Sequence, residues 1–241
     1  PGLRAYFNVC PHRAGPVARG CGRRKQLQCG YHGWTFSLEG KLLRAPESEG
    51  CDLSGVGLTP ISVARWGPLV FASIEPAAPL AEVLAGIAEP PASLAWVMRR
   101  DYELHANWKV YVDNYLEGYH IPIVHPRLLG ELDYARYRTE TSTWWSRQYA
   151  PLRPIEGGAD AGATRTYRPE TVDEEASYHW VFPNLMLNAY QGMLQTNVVI
   201  PLGPHRTRVR FEWFAPPPAP SEGDPRLSEL VGFSELVQEE D

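Results

Sequence analysis

Cys10-Pro-His12 and, after sixteen intervening residues, Cys29-Gly-Tyr-His32-Gly-Trp34 decide how this chain is read. Each short loop offers one thiolate and one imidazole, and two such loops can converge on a single point between β-hairpins. An iron–sulfur pair in which two Cys hold one iron and two His hold the other needs that ligand set. A structural zinc also accepts two Cys and two His, but its usual spacing groups Cys with Cys and His with His. Here each pair is mixed, which favours iron and sulfide. Small and aromatic neighbours of the second loop (Gly30, Tyr31, Gly33 and Trp34) suit a centre that is wrapped closely and shielded from water. Imidazole ligation raises the reduction potential above that of an all-thiolate cluster, which makes the centre a relay. Cys21 and Cys51 have no partnered His nearby and read as small buried side chains without a role.

Around these loops, residues 1–76 read as all-β. Strands are expected at Arg4–Val9, Gln26–Cys29, Thr35–Leu38, Ile61–Ala64 and Leu69–Ile74, with a hairpin turn at Glu39-Gly40. The Pro/Ala hinge Glu75–Pro79 marks a boundary, and residues 77–241 form a second domain. Its expected elements begin with a helix over Leu80–Ile87 and another over Asn107–Tyr119, the latter closed by Pro122. Residues 126–177 are polar and read as long excursions with some strand. Strands follow at Tyr178–Phe182, Met186–Tyr190, Gln195–Pro201 and Thr207–Phe214, then a Pro-rich connection over Ala215–Pro220. Asp224-Pro225 supplies the N-cap and first-turn Pro of a last helix. The fold class is therefore α+β: a small all-β domain, then an antiparallel sheet flanked by helices.

The second constellation lies in Asn107-Trp-Lys-Val-Tyr-Val-Asp113-Asn114-Tyr-Leu-Glu117-Gly-Tyr-His120-Ile-Pro-Ile-Val-His125-Pro. On one continuous helix Asp113, Glu117 and His120 share a face. Such groups are costly to bury unless paired or bound to a metal. Pro122 lets His125 swing back toward His120, so two imidazoles point at one centre. Two His and one carboxylate, with open positions, is the ligand set of non-haem Fe(II) oxygenases. In the last helix Leu227, Leu230, Ser234, Val237 and Gln238 form a stripe with Asp241 at its centre, whereas Glu240 lies about 100° off it. A carboxylate on such a stripe calls for a cation; a solvated chain end is the plainer reading of Asp241. His105, His179 and His205 have no metal-spaced neighbours and read as structural.

A net charge of −5 argues against a nucleic-acid surface. No run approaches the roughly 18–20 uncharged apolar residues of a membrane helix. The composition fits a soluble cytoplasmic protein. Pro1 opens the chain in mid-strand and Asp241 closes it without a turn signal, so both domains are expected to be incomplete at their outer ends.

With both motifs in view, the chain resembles the catalytic α subunit of Rieske-type non-haem iron, aromatic-ring-hydroxylating oxygenases. Cys-x-His…Cys-x-x-His followed by Gly-Trp resembles the Rieske domain. Asn-Trp-Lys, then Asp-Asn, then Glu-x-x-His-x4-His resembles the catalytic domain, whose fold is helix-grip-like. The resemblance implies a 2Fe-2S cluster on Cys10, His12, Cys29 and His32. It also implies Fe(II) on His120, His125 and Asp241, the last within a Gln-x-x-Asp-like pattern at Gln238–Asp241. Glu117 matches the acidic residue that links this iron to a cluster His across a subunit boundary. Asp113 and Asn114 stand where the family often has Glu-Asn. Also implied are electrons from NAD(P)H through a ferredoxin or flavin reductase, use of O2 on a small substrate, and a homotrimer. Phe182–Tyr190 and Thr196–Gly203 look similar to the branch acting on choline, glycine betaine and carnitine. Hydroxylation of an aromatic ring is the rival. A Rieske electron carrier or a zinc module is the alternative outside this class.

Overall fold

The computed structural model describes residues 2–153, 175–190, 193–220 and 224–241. The expected excursion over 154–174 and the Leu230 side chain of the expected stripe lie outside them. The chain divides into two compact units, 1–80 and 81–241.

The first unit is all-β. Its strands are β1 (Ala5–Tyr6), β2 (Gln26–Gln28), β3 (Thr35–Ser37), β4 (Leu42–Arg44), β5 (Pro60–Trp66) and β6 (Leu69–Ser73). They form two three-stranded antiparallel sheets, β1-β5-β6 and β2-β3-β4. The turn between β3 and β4 falls at the anticipated Glu39-Gly40. Gly40 has φ +84°, and a Cβ there would lie 2.5 Å from the Tyr6 ring, so only glycine fits without displacing it. Phe36 and Leu58 pack with Val17, Trp34 and the two loop cysteines in one small core, whereas Cys21 and Cys51, expected to be buried, are exposed because they lie in loops outside that core.

The second unit opens with α1 (Leu80–Val83) and β7 (Ala95–Leu104). Three short helices follow: α2 (Trp108–Tyr115), α3 (Ile121–Val124) and α4 (Pro126–Glu131). After a single 3-10 turn come β8 (Arg138–Thr141), β9 (Trp145–Pro151), β10 (Glu175–Val181), β11 (Leu185–Tyr190), β12 (Met193–Gly203) and β13 (Arg206–Ala215). Helix α5 spans Pro225–Glu240. Strands β8 to β13 run as an antiparallel meander, and β7 pairs with β13 to give the order β7-β13-β12-β11-β10-β9-β8. The chain thus leaves at one edge strand and re-enters at the other, and α2 to α4 cross a face of the sheet between them. Val112, Ile121 and Leu128 from those helices share one buried cluster with Met186, Val199, Val209, Phe211 and Trp213 of the sheet and Leu227, Val231 and Phe233 of α5.

Strand β7 was not anticipated from sequence, because Arg99-Arg100-Asp101 interrupts its apolar pattern. The register explains the charges: Asp101 lies opposite Arg210 and Glu103 opposite Arg208, with contacts of 3.0 and 2.7 Å. The strand is polar on its outer face because that face carries cross-strand ion pairs.

Trp213 is fully buried and is the largest such side chain in the unit. Trp213→Ala is expected to destabilise the second unit by about 3–5 kcal/mol, read from its urea unfolding transition. A loss below about 1 kcal/mol would contradict this packing role.

Candidate functional site

In the first unit the two motif loops close in the same way. Cys10 N–H donates to Gly15 O (2.8 Å) and Ala14 N–H to Cys10 O (2.9 Å). Likewise Cys29 N–H donates to Trp34 O (2.9 Å) and Gly33 N–H to Cys29 O (3.1 Å). Both loops reverse through a left-handed residue at the same position, Ala14 (φ 55°) and Gly33 (φ 73°). Asn8 fastens the first loop: its side-chain oxygen accepts from Val17 and Ala18 N–H, and its amide donates to Ala18 O at 2.7 Å.

The two thiols are each 2% exposed, while His12 and His32 are exposed. The imidazole rings lie 4.7 Å apart, and His12 stacks on Trp34 at 4.8 Å. Burial and the neighbouring Cys29 push the Cys10 thiol pKa up, although backbone N–H groups of His12 and Arg13 directed at it act in the opposite sense. Desolvation and the facing His32 hold the His12 pKa down. Thiols crowd one end and imidazole rings the other, with amides aimed at a sulfur, as a thiolate- and imidazole-bound cluster requires.

A mononuclear zinc fits less well. Its tetrahedral bonds of about 2.0–2.3 Å would bring all four donor atoms within roughly 4 Å of one another. Among the described residues the only set of three or more His, Cys, Asp or Glu donors within 4.8 Å is His120, His125 and Asp241. The two cysteines and two histidines therefore form two ends rather than one point, which suits two metal ions.

That other set is built by the helical crossing of the second unit. Asn107 caps α2, accepting from Lys109 N–H at 3.1 Å and donating its amide to Pro204 O at 2.8 Å. The helix ends at Tyr115, four residues earlier than the sequence pattern suggested. Gly118 is the reason: it passes beneath Tyr137, where a Cβ would lie 2.4 Å from the ring, and Tyr134 Oη donates to its carbonyl at 3.0 Å. Pro122 accordingly does not close α2 but sits in the first turn of α3. The face expected to unite Asp113, Glu117 and His120 does not form. Asp113 is exposed and outside the cavity described below, whereas Asn114 and Glu117 line it.

His120 and His125 are the two caps of α3, and this single turn sets their rings 5.0 Å apart. Asp241 lies just past α5, with Oδ1 3.1 Å from His125 Nε2 and 3.9 Å from His120 Nε2. Glu117 bonds His120 Nδ1 through one oxygen and accepts from Tyr119 N–H through the other. Burial raises the Glu117 pKa, but the His120 and backbone hydrogen bonds outweigh it and the net shift is down. Burial pulls His125 down, yet its bonds to Asp241 and Glu240 win and its pKa is raised. A cation bound at the Nε2 side would take the place of that proton. The donor set of two imidazoles and one carboxylate suits Fe(II) with open positions.

A cavity of about 110 Å3 opens beside these residues. Its aromatic walls are Tyr111, Tyr115, Tyr137, Tyr178, Phe211 and Phe233. Across the sheet, one row of facing residues runs Gln148, Tyr178, Asn188, Gln195 and Trp213. Four of these five are polar and line the cavity. They are held in place: Tyr115 Oη donates to Asn188 Oδ1 at 2.7 Å, and Ser234 Oγ donates to Gln195 Oε1 while Gln195 Nε2 donates to Asn197 Oδ1. Tyr111 Oη donates to Gln238 of α5 at 2.6 Å, and burial together with the Asp241 charge raises its pKa. Sequence reasoning did not single out this polar row. Its signal was present as amides at inward strand positions between apolar neighbours.

The ring-hydroxylating α subunit (catalytic domain) family matches residues 91–241, and the Rieske [2Fe-2S] domain family matches residues 1–61. The chain belongs to the ring-hydroxylating α-subunit family and carries a Rieske domain ahead of its catalytic domain. These families imply a 2Fe-2S cluster and a non-haem Fe(II). The chain is 33% identical to a chloroplastic choline monooxygenase of Arabidopsis thaliana over 99% of its own length and 60% of that protein's. It is 32% identical to the carnitine monooxygenase oxygenase subunit of Acinetobacter baumannii over 79% of its length and 53% of that protein's. It therefore spans little more than half the length of these relatives. Among solved structures it is similar to a quaternary ammonium Rieske monooxygenase described for carnitine oxidation and inter-subunit electron transfer. That similarity has TM-score 0.74 and 25% identity over 98% of this chain and 66% of that one. No helix among the described residues is long and apolar enough to cross a membrane.

A Cβ on Gly15 would lie 2.9 Å from Cys29 Sγ and 3.2 Å from Tyr31 Cβ. Gly15→Ala is therefore expected to lower iron and sulfide content and the visible absorbance of the purified protein. Unchanged cluster content in that variant would contradict the close wrapping of this loop.

Proposed function

We propose that the chain is the oxygenase component of a Rieske monooxygenase that oxidises a small quaternary ammonium compound with O2. In this reading Cys10, His12, Cys29 and His32 hold the cluster, and His120, His125 and Asp241 hold the iron. Electrons come from NAD(P)H through a ferredoxin or flavin reductase. The iron supplies a site where O2 can be reduced beside bound substrate.

The observation that carries the substrate class is the cavity lining. Four Tyr and two Phe surround the space, and no Lys or Arg occurs among the described lining residues. Aromatic faces attract a cation that cannot donate a hydrogen bond, which describes a quaternary ammonium group. An arene would gain little from Asn188, Gln195, Asn197 and Gln148, whose polar atoms would then face an apolar ring. The chain's own groups divide the remaining work. Tyr115 and Ser234 lock the amide row in position, and Glu117 fixes the His120 ring.

Electron delivery is proposed to run between neighbouring copies in a homotrimer. Glu117 is 46% exposed, and beside it Tyr119 and Ile123 are 89% and 86% exposed. At the cluster motif Tyr31 is 66% exposed against His32. Exposed apolar groups at both motifs are what a buried inter-subunit junction supplies. A carboxylate can accept one N–H from each of two histidines and so fix both rings.

Two measurements test this reading. Reductase-coupled O2 uptake by the full-length protein, with product identification, is expected with choline, glycine betaine or carnitine. A cis-diol formed from an arene, with no turnover of these cations, would overturn the substrate class. Glu117→Ala, assayed with the mononuclear site kept filled by excess Fe(II), is expected to lower turnover on the order of 100-fold; full activity would remove the inter-subunit bridge.

A further inference from the structure

Glu239 and Glu240 follow one another in α5, and Asp241 comes next. Glu239 is exposed to water. Glu240 is not: its side chain is 21% exposed and its Oε2 lies 2.8 Å from Nδ1 of His125, a ring that is itself 2% exposed. On the opposite edge of the same ring, Nε2 faces Asp241 Oδ1 at 3.1 Å.

We infer that Glu240 is a positioning residue for the metal centre, holding the proton of His125 on Nδ1 so that Nε2 presents its lone pair beside Asp241. The inference rests on the reading that His120, His125 and Asp241 hold a metal. A carboxylate offers only acceptors, so a 2.8 Å contact with it requires the hydrogen on Nδ1. That leaves Nε2 as the coordinating atom, and a neutral imidazole must be in the right tautomer to serve as a ligand. The ring is also prevented from flipping, because exchange of the two nitrogens would break the Glu240 bond in a nearly closed site.

The same device recurs on the other imidazole. Glu117 bonds Nδ1 of His120, and Nε2 of that ring is the atom directed toward Asp241. Each candidate metal-binding His thus has its own carboxylate on Nδ1 and shares Asp241 on Nε2. Glu117 comes from the segment after α2 and Glu240 from α5, so the two clamps are supplied by different elements. Glu240 and Asp241 are consecutive, and they meet opposite edges of the His125 ring, Nδ1 and Nε2.

Removing an outer carboxylate of this kind typically lowers metal affinity 10–100-fold. The test is Co(II) or Fe(II) affinity of the mononuclear site, measured by chelator competition on full-length protein with its cluster intact. Glu240→Ala is expected to weaken binding by that factor with the cluster spectrum unchanged. Glu240→Gln, whose amide oxygen can still accept the Nδ1 hydrogen, is expected to recover most of the affinity, and Glu239→Ala to match wild type. Wild-type affinity in Glu240→Ala overturns the inference and leaves the site reading standing; failure of the wild type to bind either metal overturns both. Should the alanine variant not fold, nitrogen-15 histidine spectra of the Zn(II)-loaded, oxidised wild type decide the matter. His125 is expected to carry its proton on Nδ1, and metal bound through Nδ1 would overturn the inference.

Discussion

His125, itself almost fully buried, sits between two carboxylates, and one ring can hold that position only if the elements bearing those carboxylates are fixed against it. The ring belongs to the junction of α3 and α4, and the carboxylates to the end of α5. Helical segments more than a hundred residues apart in sequence are therefore tied at one imidazole. The sheet makes this meeting possible. Because the chain leaves at edge strand β7 and returns at edge strand β8, the crossing helices must lie over its face, and α5 packs into the same core as they do. Charge at this point would be unfavourable in an isolated fold, since buried ionisable groups need compensation. A bound divalent cation supplies it.

The cavity follows from the same arrangement. Once the helices are held above the sheet, the residues facing them across β9 to β12 become its floor, and these are amides and a tyrosine where a purely structural sheet would carry Val or Leu. Their hydrogen bonds to Tyr115 and Ser234 tie floor to helices, so the polar floor also fixes the height of the crossing. In the other unit the constraint is different. Two loops of identical closure present thiols inward and imidazoles outward, which leaves the histidine end of that site nearest the surface.

Much of this was legible in the sequence where local chemistry is strict. The Cys-x-His and Cys-x-x-His loops, the His120–His125 spacing and the strands with clean alternation, such as β12 and β13, are readable because ligand identity and period-two patterning leave few options. Strand β7 was illegible because its charges are explained by β13, more than a hundred residues away. The end of α2 was misread because its cause, the Tyr137 ring over Gly118, is tertiary. Asp113 was drawn into the site by extending that helix too far. Helix geometry alone places Glu240 about 100° from Asp241 and does not show that its side chain reaches the other edge of the His125 ring.

Two distinct iron centres are the central claim, and the composition of the reconstituted full-length polypeptide tests it most directly. Iron and acid-labile sulfide are expected in a ratio of about three to two, two irons in the cluster and one at the imidazole–carboxylate site, with no stoichiometric zinc. Zinc together with an absence of labile sulfide would contradict it.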